Sequence, residues 1–217
     1  MKDKLLVYSG GLDSTTMLYE YLEEIALAVA FNYGSNHNSR ELHFARENCR
    51  RLGVELVEID LNFIGQHFKS SLLEGADAIP EGDYADDNMR STVVPFRNGI
   101  MLAIAAGVAE SRGLSAVMIA NHGGDHAIYP DCRRGFVDAM SKAVGEGTYE
   151  GLTVIAPYTD LTKPEIVGRG AHLGVDYALT YSCYRGSEAH CGVCGTCRER
   201  RAAFAAVGIA DPTKYEK

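Results

Sequence analysis

The stretch that decides the fold is VYSGGLDSTTML, at residues 7–18. An apolar run at 4–8 (KLLVY) ends just before Ser9, two glycines follow, and a helical pattern begins at about residue 13. A strand that becomes a helix through bare backbone brings main-chain N–H groups, hydroxyl donors and the positive end of a helix dipole to one point. This combination favours a bound phosphate group, and a plain capped turn is the alternative.

Apolar runs alternate with helical patterns along the rest of the chain. The patterns predict strands at residues 4–8, 26–32, 54–60, 115–121 and 153–156. They predict helices at 13–24, 38–52, 61–73, 97–112, 133–145 and 163–172, and a loop at 74–92. Such alternation predicts an α/β fold with a doubly wound, Rossmann-like parallel sheet covered on both faces. Ligands of such sheets bind at the carboxyl ends of the strands.

The composition changes near residue 181. We therefore predict an α/β domain over 1–180 and a metal-stapled segment over 181–217, packed on the same domain. The segment carries four of the six cysteines, Cys183, Cys191, Cys194 and Cys197. Four thiolates at this spacing favour a closed structural zinc site. An iron–sulfur cluster is the alternative, since C-x2-C-x2-C also begins the ferredoxin pattern.

Charge and hydropathy limit the partners. The 217-residue chain has a formal net charge of -8. This balance argues against a nucleic-acid-binding surface spread over the protein. The first apolar run is too short for a signal peptide, and no run reaches the length of a membrane span. We therefore expect a soluble cytoplasmic protein with no membrane partner and no direct nucleic-acid partner.

The glycine loop has a specific form. It lacks the lysine of the Walker A loop and does not follow the GxGxxG pattern. The string SGGLDS at 9–14 resembles the PP-loop, SGGxDS, of ATP pyrophosphatases. The resemblance implies that this loop holds the β,γ-pyrophosphate of ATP while a substrate oxygen receives AMP.

Four further strings extend the resemblance over almost the whole chain. They are VVPFRN (93–98), YPDCR (129–133), KPEI (163–166) and TYSCYRG…CGVCGTCRER (180–200). In this order they resemble the QueC family of 7-cyano-7-deazaguanine synthases. The resemblance implies an adenine-nucleotide α-hydrolase-like fold, a C-terminal zinc site and a homodimer. It also implies that ATP, with Mg²⁺, and ammonia convert 7-carboxy-7-deazaguanine through its amide to the nitrile.

The family motifs also imply site residues. ATP ligands would be Ser9, Gly10, Gly11, Asp13, Ser14 and Thr15, and catalytic residues would be Arg97, Lys163 and Asp13. Substrate ligands would be Arg97, Asn98, Asp125, Tyr129, Asp131 and Arg133. The alternatives are a solvated helix end for Arg97, a surface position for Lys163 and a Tyr-Pro-Asp turn for Tyr129 and Asp131.

The sequence departs from the family pattern in loops expected to face the ligand. The departures are Leu12 for Gln, Ser35-Asn36 for Gln-Arg, Phe96 for Gly, and His126-Ala127-Ile128 before YPDCR. They raise a second hypothesis, a diverged ligase that stops at the amide or passes the acyl group to another amine, including one on a protein. A PP-loop tRNA-thiolating enzyme and a zinc-stapled nucleotide-sensing module are rivals from other classes.

Overall fold

The computed structural model describes residues 1–83 and 87–216, and its centre is a parallel sheet. The strands of this described part are β1 (Lys4–Val7), β2 (Ile25–Asn32), β3 (Glu55–Asp60), β4 (Ala116–Met118) and β5 (Thr153–Ile155). Their order in the sheet is β3-β2-β1-β4-β5, and every pair is parallel. The chain therefore winds outward from β1 in both directions. The switch point between β1 and β4 is where such a sheet binds its ligand.

Helices cover both faces of the sheet. They are α1 (Leu12–Glu20), α2 (Asn38–Leu52), α3 (Asn62–His67), α4 (Arg97–Ser111), α5 (Arg134–Gly147), α6 (Lys163–His172) and α7 (Gly195–Ala206). The predicted fold class, the five strands and the first six helices are confirmed. The predicted loop at 74–92 contains a 3₁₀ helix at Asp87–Thr92, and its residues 84–86 lie outside the described part of the chain.

Three details of the helix prediction were wrong. α1 ends at Glu20 rather than at residue 24, because the Ile25 N–H bonds the Tyr21 carbonyl and turns the chain into β2. α3 stops at His67, since Phe68 is extended with ψ 159°. α7 was not predicted at all.

The hydrophobic core lies on both faces of the sheet. Leu5 and Leu6 of β1 are both 0 % exposed, yet they pack in different apolar clusters. Successive side chains of a strand point to opposite faces, so a central strand covered by helices has to be apolar throughout. The predicted doubly wound sheet rests on this arrangement.

The C-terminal segment packs on the same core. Ala203 and Phe204 of α7 lie in the apolar cluster beneath α1 and α6, and the four cysteines lie in the cluster on the other face. Arg200 is only 1 % exposed, and it donates hydrogen bonds to the Thr180 hydroxyl (2.7 Å) and the Tyr177 carbonyl (3.0 Å). The boundary at residue 180 stays a prediction.

Among residues 1–83 and 87–216, one segment, Met89–Ser111, is long and apolar enough to cross a membrane by length and composition alone. Half of its most apolar window is buried inside the protein. Core helices of soluble proteins meet the same criterion, so this is weak evidence for a span.

Gly10 fixes the contact between the glycine loop and α2. Its φ is +81°, and a Cβ there would overlap the Glu41 carbonyl oxygen and lie 2.8 Å from the Ala45 amide nitrogen. We expect Gly10→Ala to lower the free energy of unfolding by about 3 kcal/mol, from left-handed strain plus overpacking. Gly53→Ala is the control, because Gly53 also has positive φ but nothing lies within 4 Å of its Cβ position.

Urea unfolding of both variants separates the cost of the left-handed backbone from the cost of the steric overlap. Gly53→Ala should lose only about 1 kcal/mol, the cost of the backbone conformation. Equal losses in the two variants would contradict the steric argument for Gly10.

Candidate active site

A cavity opens at the switch point, beside the carboxyl ends of β1 and β4. Residues that follow these strands, among them Tyr8 and Asn121, line it. The wall also contains most of the residues expected to act: Ser9, Gly11, Asp13, Ser14, Arg97, Asn98, Asp125, Tyr129 and Lys163. The fold therefore collects side chains from distant parts of the chain around one space.

The glycine loop forms one end of this cavity. The Gly11 N–H donates to Ser9 Oγ (3.2 Å), and the hydroxyls of Ser9 and Ser14 lie 3.1 Å apart. Within the described residues no side chain caps the start of α1, so the N–H groups of its first turn are available to a ligand. This end of the cavity offers the donors that a phosphate group requires.

Two of the expected ATP ligands have other positions. Gly10 packs against α2, and Thr15 is fully buried with its hydroxyl 3.1 Å from that of Tyr8. Neither is among the described residues that line the cavity. In the structure both residues stabilise the conformation of the glycine loop. Their contribution to ATP binding stays a prediction.

Lys163 lies in the cavity wall beside the glycine loop. Its ammonium group donates to Asp13 Oδ2 (2.6 Å) and lies 3.3 Å from Glu199 Oε2. The Lys163 side chain is only 11 % exposed. Burial alone would lower the pKa of Lys163, but the carboxylates of Asp13 and Glu199 raise it above its ordinary value. Lys163 is therefore a charged cavity residue, not a surface lysine.

A capping box fixes the position of Lys163 on α6. The Glu165 carboxylate accepts hydrogen bonds from the Thr162 N–H and hydroxyl, both at 2.7 Å, and Pro164 occupies the first turn. The string T-K-P-E thus starts the helix at the residue that must face the glycine loop. This local rigidity holds the ammonium group where its charge can act.

Glu199 and His122 belong to the same end of the cavity and were not predicted. Glu199 lies on α7, two residues after Cys197, and burial raises its pKa. His122 Nδ1 accepts a hydrogen bond from the Gly124 N–H (3.0 Å). His122 Nε2 therefore faces the carboxylates of Asp125 (3.4 Å) and Glu199 (3.8 Å). α7 therefore carries both a cysteine of the cluster, Cys197, and a carboxylate that contacts Lys163, Glu199.

Arg97 lies at the other end of the cavity, at the first position of α4. Its Nη1 donates to the Tyr33 hydroxyl (3.0 Å), and its guanidinium carbon lies 5.4 Å from the centre of the Tyr33 ring. The Tyr33 hydroxyl is in turn 3.4 Å from His37 Nε2. Arg97 is part of a buried polar group rather than a solvated helix end.

His37 and Glu41 complete this group and were also not predicted. His37 Nε2 lies 3.8 Å from Glu41 Oε2, one helical turn apart. Burial raises the pKa of Glu41 to about 8 and lowers the pKa of His37 to about 4. At neutral pH the imidazole is uncharged and the Glu41 carboxyl group is mostly protonated. A ligand that donates hydrogen bonds to this carboxyl group would favour its charged form.

Several expected substrate ligands already have protein partners. Asp131 Oδ2 accepts the Asn98 N–H (2.8 Å) at the start of α4, and Asp125 Oδ2 accepts the His122 N–H (3.1 Å). The Tyr129 hydroxyl lies 2.8 Å from the Thr92 hydroxyl. These contacts position the loops around the cavity, and substrate binding by Asp125, Tyr129 and Asp131 stays a prediction.

Two expected ligands lie outside the wall formed by the described residues. They are Asp131 and Arg133, whose Nε donates to the His126 carbonyl (2.9 Å) at the surface.

Among the departures from the family pattern, Leu12 lines the cavity. Phe96 instead is 59 % exposed, with φ 54° and its ring packed on Phe136. Roles for these residues in substrate binding stay predictions.

The four predicted metal ligands come together in one cluster. The Sγ atoms of Cys183, Cys191, Cys194 and Cys197 all lie within 4.8 Å of one another, and all four residues are buried. Backbone N–H groups donate to the sulfurs. One example is the Cys191 N–H, whose nitrogen lies 3.3 Å from Cys183 Sγ. Donor chemistry and spacing fit a structural zinc ion.

The fold and the glycine loop define the class: this is a PP-loop ATP-binding protein. The family model described as "Queuosine biosynthesis protein QueC" matches residues 3–208. A 7-cyano-7-deazaguanine synthase from Porphyromonas gingivalis is 61 % identical over 215 residues, which cover 99 % of this chain and 98 % of that protein. One from Desulfotalea psychrophila is 48 % identical over 217 residues, 99 % of each chain. The chain belongs to the QueC family.

The fold also resembles a solved structure. NMN synthetase from Francisella tularensis superposes with a TM-score of 0.52 over 96 % of this chain and 78 % of that one. The sequence identity is 14 %, so this likeness concerns the fold alone.

Proposed function

We propose that this protein is an ATP-dependent ligase that converts 7-carboxy-7-deazaguanine and ammonia, through the amide, to 7-cyano-7-deazaguanine. The observation that carries the proposal is sequence identity of 61 %, over nearly the full length of both chains, to a 7-cyano-7-deazaguanine synthase. The cavity supports it, because a phosphate-binding loop with a buried lysine and a polar pocket around Arg97 share one space.

The chemistry divides between the two ends of the cavity. A substrate carboxylate oxygen attacks the α-phosphorus of ATP, and pyrophosphate leaves toward the glycine loop. Lys163, held by Asp13, stabilises the negative charge that develops on the phosphates. Ammonia then attacks the acyl carbon, AMP departs, and a proton is lost to give the amide.

The nitrile requires a second activation of the same carbon. The amide oxygen attacks the α-phosphorus of a second ATP, again releasing pyrophosphate and a proton. The C–O bond to AMP then breaks while the nitrogen loses its last proton, which leaves the carbon–nitrogen triple bond. The amide must therefore stay in place while nucleotides exchange, and the substrate pocket has to fit both acid and amide.

Metal ions and assembly belong to the same proposal. Cys183, Cys191, Cys194 and Cys197 would hold zinc, which supplies a structural cross-link when bound. Asp13 is the proposed protein contact of Mg²⁺ that accompanies ATP. The family resemblance supports a homodimer in the cytoplasm, and the net charge of -8 is consistent with no direct contact to nucleic acid.

Product analysis tests the function. The protein is supplied with 7-carboxy-7-deazaguanine, ammonium and either limiting or excess ATP, and products are identified by mass spectrometry. We expect nitrile, with two AMP and two pyrophosphate per nitrile in excess ATP. Amide that persists in excess ATP, or an adduct with another amine, would instead support a diverged ligase, and ADP with orthophosphate would contradict PP-loop chemistry.

A further inference from the structure

The carboxyl group of Glu41 faces the cavity without a hydrogen-bond partner among residues 1–83 and 87–216. Its side chain is 17 % exposed, and His37 Nε2 lies 3.8 Å from Glu41 Oε2, beyond hydrogen-bond length. A shielded carboxyl group without a donor is costly unless a ligand supplies one. Burial raises the pKa of Glu41.

Arg97 shares the pocket with Glu41, yet the described residues form no ion pair between them. The guanidinium group instead donates to the Tyr33 hydroxyl, and its positive charge lowers the pKa of Glu41 from a distance. The pocket therefore presents the Arg97 guanidinium group as a donor and the Glu41 carboxyl group as an acceptor. Because the two groups do not pair with each other, both can contact a ligand.

The other carboxyl groups of the cavity are already engaged. Asp13 and Glu199 contact Lys163, and Asp125 accepts the His122 N–H. Of the carboxyl groups in the described wall, Glu41 is the one that neither accepts a hydrogen bond nor pairs with Lys163, whereas in Asp13 only Oδ1 lacks a hydrogen-bond partner.

The substrate of the proposed reaction offers a matching edge. The pyrimidinone ring of a 7-deazaguanine presents a carbonyl acceptor, a ring N–H and an exocyclic amino group in a row, and its carboxylate lies beside the carbonyl. We propose that Glu41 reads this edge by accepting the ring N–H and the amino N–H, while Arg97 faces the carbonyl and carboxylate side. The inference rests on the proposed function and adds the residue that selects the base.

Substrate discrimination tests this role. We compare kcat/KM, measured as AMP formed from ATP, with 7-carboxy-7-deazaguanine or with its analogue that lacks the exocyclic amino group as the acceptor. The wild type should prefer the amino substrate by about 10- to 100-fold, the range for one hydrogen bond to a charged acceptor. Glu41→Gln should lower kcat/KM for the amino substrate by about 100-fold, chiefly through KM, and reduce the preference to about threefold.

The control is Glu47→Gln on the same helix. Glu47 pairs with Arg50 at the surface (2.8 Å), away from the cavity, so this variant should keep the wild-type preference. A melting temperature and an ATP-induced stabilisation establish that Glu41→Gln is folded. If it is not, Glu41→Asp is measured instead, and it should also lose preference because its carboxylate falls short of the edge.

The outcomes separate this inference from the proposed function. A wild type that forms nitrile but does not discriminate between the two substrates overturns the role of Glu41 without any variant. A Glu41→Gln variant that slows both substrates equally also overturns it. A wild type that releases no AMP with the amino substrate contradicts the proposed function itself.

Discussion

Lys163→Met is expected to lower the rate of AMP release by about 10³-fold, the range for loss of one preorganised charge-stabilising donor. The Lys163 side chain is 11 % exposed and its ammonium group lies 2.6 Å from Asp13 Oδ2 in the glycine loop, so it acts where the leaving pyrophosphate gains charge. The exposed Lys142→Met on α5 is the matched control and should retain full activity. Chromatography of AMP and pyrophosphate measures both variants, and a loss below tenfold would contradict the assigned role.

Removal of Lys163 also leaves the partly buried carboxylates of Asp13 and Glu199 without their counter-ion, which destabilises the fold independently of catalysis. The double variant Lys163→Met with Asp13→Asn separates the two effects, since the amide carries no charge. We expect the double variant to regain most of the melting temperature that Lys163→Met loses, and to stay as inactive as the single variant. Recovery of activity together with stability would show that Lys163 is only structural.

The fold could be predicted because its signals are local. Strands such as β2 (IALAVAFN) are continuous apolar runs, and the helices between them have clear starts and stops. Parallel topology then follows from alternation, and the glycine loop marks the switch-point edge. α7 escaped prediction because its sequence, GTCRERRAAFAA, has a weak apolar pattern. Burial of Ala203 and Phe204 and hydrogen bonds from Arg200 stabilise it instead, and these are tertiary contacts.

The site was only partly visible in the sequence for a related reason. Lys163 and Arg97 stand at helix starts marked by motifs, so their positions could be inferred. Glu41 lies on a helix that is polar on several faces, and its sequence does not show which face meets the cavity. Asp131 shows the converse difficulty, that a carboxylate in a motif need not bind a ligand. Its Oδ2 accepts the backbone N–H of Asn98 instead, and the sequence does not distinguish the two roles.

Loss of metal is expected to have the largest effect on stability. Treatment with a strong chelator, or Cys191→Ser, should lower the melting temperature by about 10 °C, since a few kcal/mol correspond to that shift in a domain of this size. The cluster is part of the apolar core, and α7 begins immediately after Cys194. Elemental analysis should show one zinc per chain, and iron with visible absorbance would support the iron–sulfur alternative.

The same change should reach the active site through α7. Cys197 and Glu199 are two residues apart on this helix, and Glu199 contacts Lys163 (3.3 Å). AMP release should therefore fall in proportion to the zinc removed. Cys49→Ser is the control, because Cys49 is buried in α2 outside the cluster, and it should keep both zinc and activity. If chelation removes the metal but leaves the melting temperature and the rate unchanged, the cluster neither stabilises the fold nor positions Glu199.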